Sequence, residues 1–246
     1  MTDDLDPAIR QFQQILSAHY AGHPDLAAAP FAVRRAVAEA GRARWAAGGP
    51  EMADTQERRL GDPATRVRIH IPRLGETLPI LVYIHGGGWT LFSLETHDRL
   101  MREYAARAGI AVVGVDYSLA PEHKFPRAIE EIAGVVADLA RSANAFGLDG
   151  SRIAIGGDSA GANMSVAASL LLRDRGHAMP QAMLLNYGAF DHRPRRSWQR
   201  FDGPAYALEA SEMAEYWGHY ARTPDDLENP LAVPMLAALD RLPPVF

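Results

Sequence analysis

With 246 residues, 48% of them hydrophobic and 22% charged, the chain has enough apolar sequence for one sizeable core and an ordinary globular composition. A formal net charge of -5 lacks the basic excess that draws proteins to phosphate backbones or anionic lipid, so nucleic acid and membrane are not expected as partners and a small neutral molecule is. Cysteine is absent, which removes disulfides, thiolate metal sites and a cysteine nucleophile together.

Residues 1–6 are acidic, no apolar signal core follows them, and no run approaches the roughly 18 apolar residues of a spanning helix, so a soluble, cytoplasmic protein is expected. Residues 1–50 read as helical. Asp6 caps a helix with Pro7 at its first position, Ile9, Phe12 and Leu16 recur at helix spacing, and a second helix over 32–47 stops at Gly48-Gly49. From Arg66 the pattern turns to alternation, with Val67, Ile69 and Ile71 on one face, followed by a continuous apolar strand over 80–84. A helix over 97–108 closed by Gly109, a strand over 110–115, a helix over 127–141 and a strand over 153–155 come next. A helix over 160–173 ending at Gly176 and a buried strand over 183–187 complete an alternation that implies parallel βαβ units. The expected division is a helical segment over 1–50, an α/β core over 51–190, a polar excursion rich in Trp and Arg over 191–234, and the start of a further core strand over 235–246. The strands beyond that start lie outside the sequence.

Gly156-Gly157-Asp158-Ser159-Ala160-Gly161 stands between the strand over 153–155 and a helix, the context in which a serine on a sharp turn projects its hydroxyl above a sheet as a nucleophile. Small flanking residues relieve crowding around the strained backbone, and the helix N-terminus supplies donors and positive dipole where an oxyanion forms. Taken by itself, the motif also reads as a Gly-rich turn with a capping serine; a phosphate loop is excluded because no Gly-Lys-Ser/Thr ending follows. His85-Gly86-Gly87-Gly88-Trp89 follows the strand over 80–84, where an oxyanion loop belongs, and its glycines let backbone N–H groups approach a tetrahedral intermediate. Order, spacing and strand ends agree between the two motifs, which makes the pair far more specific than either.

At these residues the chain resembles the bacterial hormone-sensitive-lipase family of carboxylesterases. The resemblance runs through residues 85–89, His97-Asp98, residues 115–123, Phe125-Pro126, residues 156–163 and Leu242-Pro243-Pro244, and spans most of 65–246. It implies an α/β-hydrolase fold, a mostly parallel central sheet flanked by helices, with a helical cap over the acyl pocket formed by residues 1–50 and 191–234. It implies Ser159 as nucleophile, the backbone N–H groups of Gly87, Gly88 and Ala160 as oxyanion donors, and His85 and Gly86 as support of that loop. Ala162 replaces a common glycine and Trp89 a frequent phenylalanine, and neither touches the chemistry. The reaction implied is cofactor-independent hydrolysis of short to medium acyl esters through an acyl-Ser159 intermediate, with no metal. A noncatalytic ligand-binding homologue and an amidase or arylformamidase-like hydrolase stand as alternatives, and a homodimer is the assembly left open.

A serine needs a histidine to take its proton and a carboxylate to orient that histidine, and in this fold both follow the serine in sequence. The family's acid comes after the strand that residues 244–246 begin, and its histidine later still, so neither position falls within the sequence. After Ser159 the histidines are His177, His192 and His219. Asp191, following the strand over 183–187, and His219 are the in-chain candidates for acid and base, with His192 beside them; His177 reads as exposed loop. His219 also fits a helix whose apolar face is Met213, Tyr216 and Trp217. Glu122 and His123 read as fixing the loop before Pro126, His97 and Asp98 as capping residues, and Arg193, Arg195 and Arg196 as a solvated basic cluster.

Overall fold

The structure, a computed structural model, describes residues 5–203, 206 and 208–246. Helix α1 (Pro7–Ala21) begins where the Asp6 carboxylate accepts the Ala8 N–H at 2.7 Å. Helix α2 (Phe31–Ala46) starts directly after Pro30, which cannot donate and so marks the break in the preceding chain.

Strand β1 (Asp54–Leu60) was not visible as a strand in the sequence; it pairs antiparallel with β2 (Thr65–Ile71), Asp54 opposite Ile71 and Leu60 opposite Thr65. Both its faces are largely solvated, so apolar alternation is missing. Cross-strand ion pairs take its place, with Glu57 reaching Arg66 at 2.9 Å and Arg68 at 2.6 Å. Charges along such an edge also discourage a further strand from adding to it.

Strands β3 (Leu78–Ile84), β4 (Ala111–Val115), β5 (Leu148–Asp158) and β6 (Ala182–Asn186) alternate with helices α3 (Leu94–Ala108), α4 (Arg127–Ser142) and α5 (Ala160–Asp174). The six-stranded sheet has the order β1-β2-β4-β3-β5-β6. From β4 to β6 neighbours run parallel, and β2 is antiparallel to β4. Because side chains alternate along a strand, Ile80, Val82 and Ile84 enter the large core shared with α4 and α5, whereas Leu81 and Tyr83 meet Leu94, Met101 and Ala105 of α3 on the opposite face. Helix α3 starts three residues before the expected position: the Ser93 hydroxyl caps it by accepting the N–H groups of Glu95 and Thr96 at 3.1 and 3.3 Å.

After β6 come α6 (Arg196–Phe201), α7 (Ala210–Tyr220) and two short 3-10 turns at Pro224–Glu228 and Pro234–Leu236. The last residues run alongside β6 in the parallel sense: Met183 N–H donates to the Pro244 carbonyl at 2.9 Å, and Phe246 N–H to the Met183 carbonyl at 2.9 Å. Among the described residues no helix is long and apolar enough to cross a membrane.

Candidate active site

Strand β5 ends at Asp158 and α5 starts at Ala160, so Ser159 alone makes the turn, with φ 53° and ψ -117°. A non-glycine residue there costs about 1–3 kcal/mol unless its surroundings hold it. Three hydrogen bonds do so: Ser159 N–H donates to the Asn186 carbonyl at 2.9 Å, and the Ser159 carbonyl accepts the N–H groups of Asn163 at 3.1 Å and Ala189 at 3.3 Å. Gly157 and Gly161 permit the turn to lie against β3, since a Cβ on either would collide with the Ile84 carbonyl. The Asn163 amide then ties α5 to the chain after β6, donating to the carbonyls of Ala189 at 2.8 Å and Ala232 at 3.0 Å.

The loop after β3 is wound tightly, with Gly87, Gly88, Trp89 and Phe92 all at positive φ. Thr90 and Leu91 donate their N–H groups to the Gly87 carbonyl at 3.1 and 2.9 Å. Trp89 is fully buried and stacks on Tyr220 of α7 with ring centroids 4.4 Å apart, while Tyr216 of the same helix packs over Gly88. Arg35 of α2 grips the loop from the other side, donating to the Thr90 carbonyl at 2.8 Å and to the Ala120 carbonyl at 2.9 Å while pairing with Glu122 at 2.6 Å. Glu122 thus fixes its loop through a helix 87 residues away in sequence. No hydrogen bond among the described residues takes up the N–H groups of Gly87, Gly88 or Ala160.

Asp158 joins the serine turn to this loop. Its Oδ1 accepts the Tyr83 hydroxyl at 2.8 Å and the Gly86 N–H at 3.0 Å, with His97 Nε2 at 3.6 Å, and its Oδ2 accepts the Tyr187 hydroxyl at 3.4 Å. Burial by itself would raise the Asp158 pKa, but His97 and Tyr83 outweigh it and hold the carboxyl below its usual range, so it is ionised. The same burial, with Asp158 beside it, pushes the Tyr83 phenol far up, which keeps its proton available for donation.

His85 is buried and stacks on Tyr117 at 4.4 Å. Its Nδ1–H donates to the Gly86 carbonyl at 2.8 Å, and the Tyr117 hydroxyl donates to the His85 carbonyl at 2.9 Å. Burial, reinforced by neighbouring His97, lowers its pKa from 6.5 to about 3. His70 of β2 is lowered too, mainly by burial with partial opposition from Asp98. Both side chains are therefore neutral in the fold and protonate more readily when unfolded. Their stabilisation is complete above the unfolded value of 6.5 and drains away as pH falls toward the folded values. Calorimetric unfolding at pH 5 is expected to show about 2 kcal/mol less stability per histidine than at pH 7. His70→Gln should lose one histidine's share of that difference, and identical melting temperatures at the two pH values would contradict it.

Ser159, Asp158, His97, Gly87 and Gly88 open into one cleft of about 990 Å³, roofed by side chains of α1, α2 and α7. Asp191 and His219 are held elsewhere. Asp191 pairs with Arg193 at 3.0 Å and with Arg195, so two members of the basic cluster are neutralised rather than free. His219 Nε2 meets Glu215 at 3.1 Å and its ring lies edge-on to Phe31. His192 rests against Trp217, and His177 is exposed. No histidine among the described residues hydrogen-bonds to the Ser159 hydroxyl. His97, expected to cap a helix, does bond its Nδ1 to the Ser93 carbonyl at 3.3 Å, but it also faces the cleft and Asp158. The coupling of Asp158 to Gly86 escaped the sequence because the partners lie 72 residues apart; the only local signal was the acidic residue next to the serine.

A strained serine between a parallel strand and a helix, facing a glycine loop with N–H groups that no described residue takes up, defines a protein of the α/β-hydrolase fold. A family model described as alpha/beta hydrolase fold matches residues 81–246, and the chain belongs to that family, in the hormone-sensitive-lipase-like branch of carboxylesterases that its motifs resemble. The chain is 38% identical over 174 residues to an acetyl esterase of Salmonella schwarzengrund, an alignment covering 69% of this chain and 52% of that protein. It therefore spans about half the length of the curated relatives it matches. Among solved structures, an esterase from Pyrobaculum calidifontis superposes with a TM-score of 0.87 at 36% identity, covering 98% of this chain and 78% of the other. An α/β-hydrolase from the metagenome of Lake Arreo superposes with a TM-score of 0.90 at 32% identity, with the same two coverages.

Proposed function

We propose that this protein is a cytoplasmic serine carboxylesterase that cleaves small esters of short to medium acyl chains. The observation that carries the reading is the shared cleft, in which the strained Ser159 faces Gly87 and Gly88 with their N–H groups unengaged. Ser159 Oγ attacks the ester carbonyl, and the oxygen that becomes negative is received by the N–H groups of Gly87, Gly88 and Ala160 at the start of α5. The alcohol leaves, and water releases the acyl group from Ser159. The proton of the hydroxyl must pass to an imidazole oriented by a carboxylate. In the resembling family those groups follow the strand that residues 244–246 begin. Helices α1 and α2, with residues 191–234, serve as the cap, and His85 and Gly86 keep the oxyanion loop in shape. The acetyl esterase relatives support a small acyl group.

The test uses protein produced from its own gene. kcat/KM for 4-nitrophenyl acetate and butyrate should exceed that for the palmitate ester by at least about tenfold. Preference for palmitate would overturn the acyl-length assignment, and no ester turnover above buffer would favour the ligand-binding alternative.

A further inference from the structure

Among the described residues, Arg42 is a cation of the cleft that makes no ion pair. Arg42, in the last turns of α2, reaches into the cleft that holds Ser159. Its guanidinium lies over the rings of Phe12 at 4.8 Å and Phe92 at 5.1 Å. Contact with the two rings holds the planar group in place and removes part of its water. Its Nε is buried without a hydrogen-bond partner, and no carboxylate among the described residues lies within ion-pairing distance.

The other charged groups of the cleft are engaged. Arg34 pairs with Glu215 at 2.8 Å, and Glu212 accepts the Glu209 N–H at 3.0 Å. Asp158 is held by Tyr83 and Gly86 at 2.8 and 3.0 Å. Burial lowers the Arg42 pKa, partly offset by Tyr20, Tyr187 and Asp158, yet a guanidinium stays charged at any physiological pH. A partly desolvated cation with an open donor is an unfavourable arrangement that an anionic ligand would relieve.

We propose that Arg42 is a specificity-determining residue that selects esters whose acyl portion carries a second, ionised carboxylate, the half-esters of short dicarboxylic acids, by pairing with that carboxylate inside the Ser159 cleft. A carboxylate meets a fixed guanidinium through two parallel hydrogen bonds. The net charge of -5 repels such a substrate at long range, so a local cation is what admits it.

This inference rests on the esterase reading, and two readouts separate their failures. In turnover, mono-4-nitrophenyl glutarate is compared with 4-nitrophenyl butyrate for wild type, Arg42→Met and Arg42→Lys. Arg42→Met should lower kcat/KM for the glutarate half-ester by about tenfold or more while changing butyrate by less than about threefold, and Arg42→Lys should recover part of the loss. In binding, calorimetry with the non-hydrolysable amides glutaranilic acid and butyranilide requires no catalysis. Wild type should prefer the acid by at least about tenfold, and Arg42→Met should lose that preference. Equal affinity of wild type for the two amides, or a preference that survives in Arg42→Met, overturns the role of Arg42. A correct binding preference without ester turnover would sustain Arg42 as an anion-selecting residue and sink the esterase reading.

Discussion

Ser159→Ala, in the protein produced from its own gene, is expected to lower kcat/KM for 4-nitrophenyl acetate by at least about 10⁴-fold while leaving the melting temperature nearly unchanged. The kinetic loss follows from removing the only oxygen that accepts the acyl group; what remains is water attack assisted by the oxyanion loop. The small thermal effect follows from the backbone. Alanine and serine both carry a Cβ at φ 53°, so neither relieves the strain of the turn, and the three hydrogen bonds that hold it use main-chain atoms of residue 159. Ser159→Gly separates the two quantities: it is equally inactive but should be more stable than the alanine variant by roughly 1 kcal/mol, because glycine adopts positive φ freely. Steady-state kinetics and differential scanning calorimetry on the three proteins check both halves.

Asp158→Ala is expected to reduce kcat for the same ester by about 10²–10³-fold, with a smaller change in KM. The carboxylate makes no contact with a bound ester carbonyl in this reading; it positions the loop that does. Removing it strands the Tyr83 hydroxyl and the Gly86 N–H, two buried donors that meet on one oxygen at 2.8 and 3.0 Å. Gly86 is then free to drift, and Gly87 and Gly88 move with it away from the site where the oxyanion forms. Asp158→Asn retains one acceptor oxygen for both donors and should lose less than about tenfold. An alanine variant with unchanged kcat would dissociate Asp158 from the loop. An asparagine variant as damaged as alanine would point to the charge, through His97 at 3.6 Å, rather than to the hydrogen bonds.

The centre of the sheet was legible from its residues because β3 and β4 are buried on both faces and the helices carry strong stop signals. The apolar run within β3 and Gly109 at the end of α3, which takes the left-handed conformation the sequence position calls for, are of this kind. Strand β1 was not legible: DTQERRL has the charges of an exposed edge, and only its pairing with Arg66 and Arg68 makes it a strand. Strand β5 begins at Leu148, five residues before the apolar run at Ile153, because the pairing of Leu78 with Leu148 extends it through Asp149, Gly150 and Ser151, which read locally as a turn.

The two site motifs were visible because turn and loop chemistry is local. What joins them was not, since Asp158 to Gly86, Arg35 to Thr90 and Trp89 to Tyr220 are contacts across the fold. Arg42 illustrates the same limit. In sequence it is one of several arginines on a helix, and its lack of an ion-pair partner among the described residues is a property of the folded cleft.

The central claim is that the Ser159 hydroxyl is the atom that takes the acyl group. Reacting the protein produced from its own gene with a 4-nitrophenyl alkylphosphonate and mapping the product by peptide mass spectrometry tests it most directly. The prediction is one phosphonyl group on Ser159, one equivalent of 4-nitrophenolate released, esterase activity lost in parallel, and no adduct on Ser159→Ala. Loss of activity with Ser159 unmodified and the phosphonyl group on another side chain would contradict it.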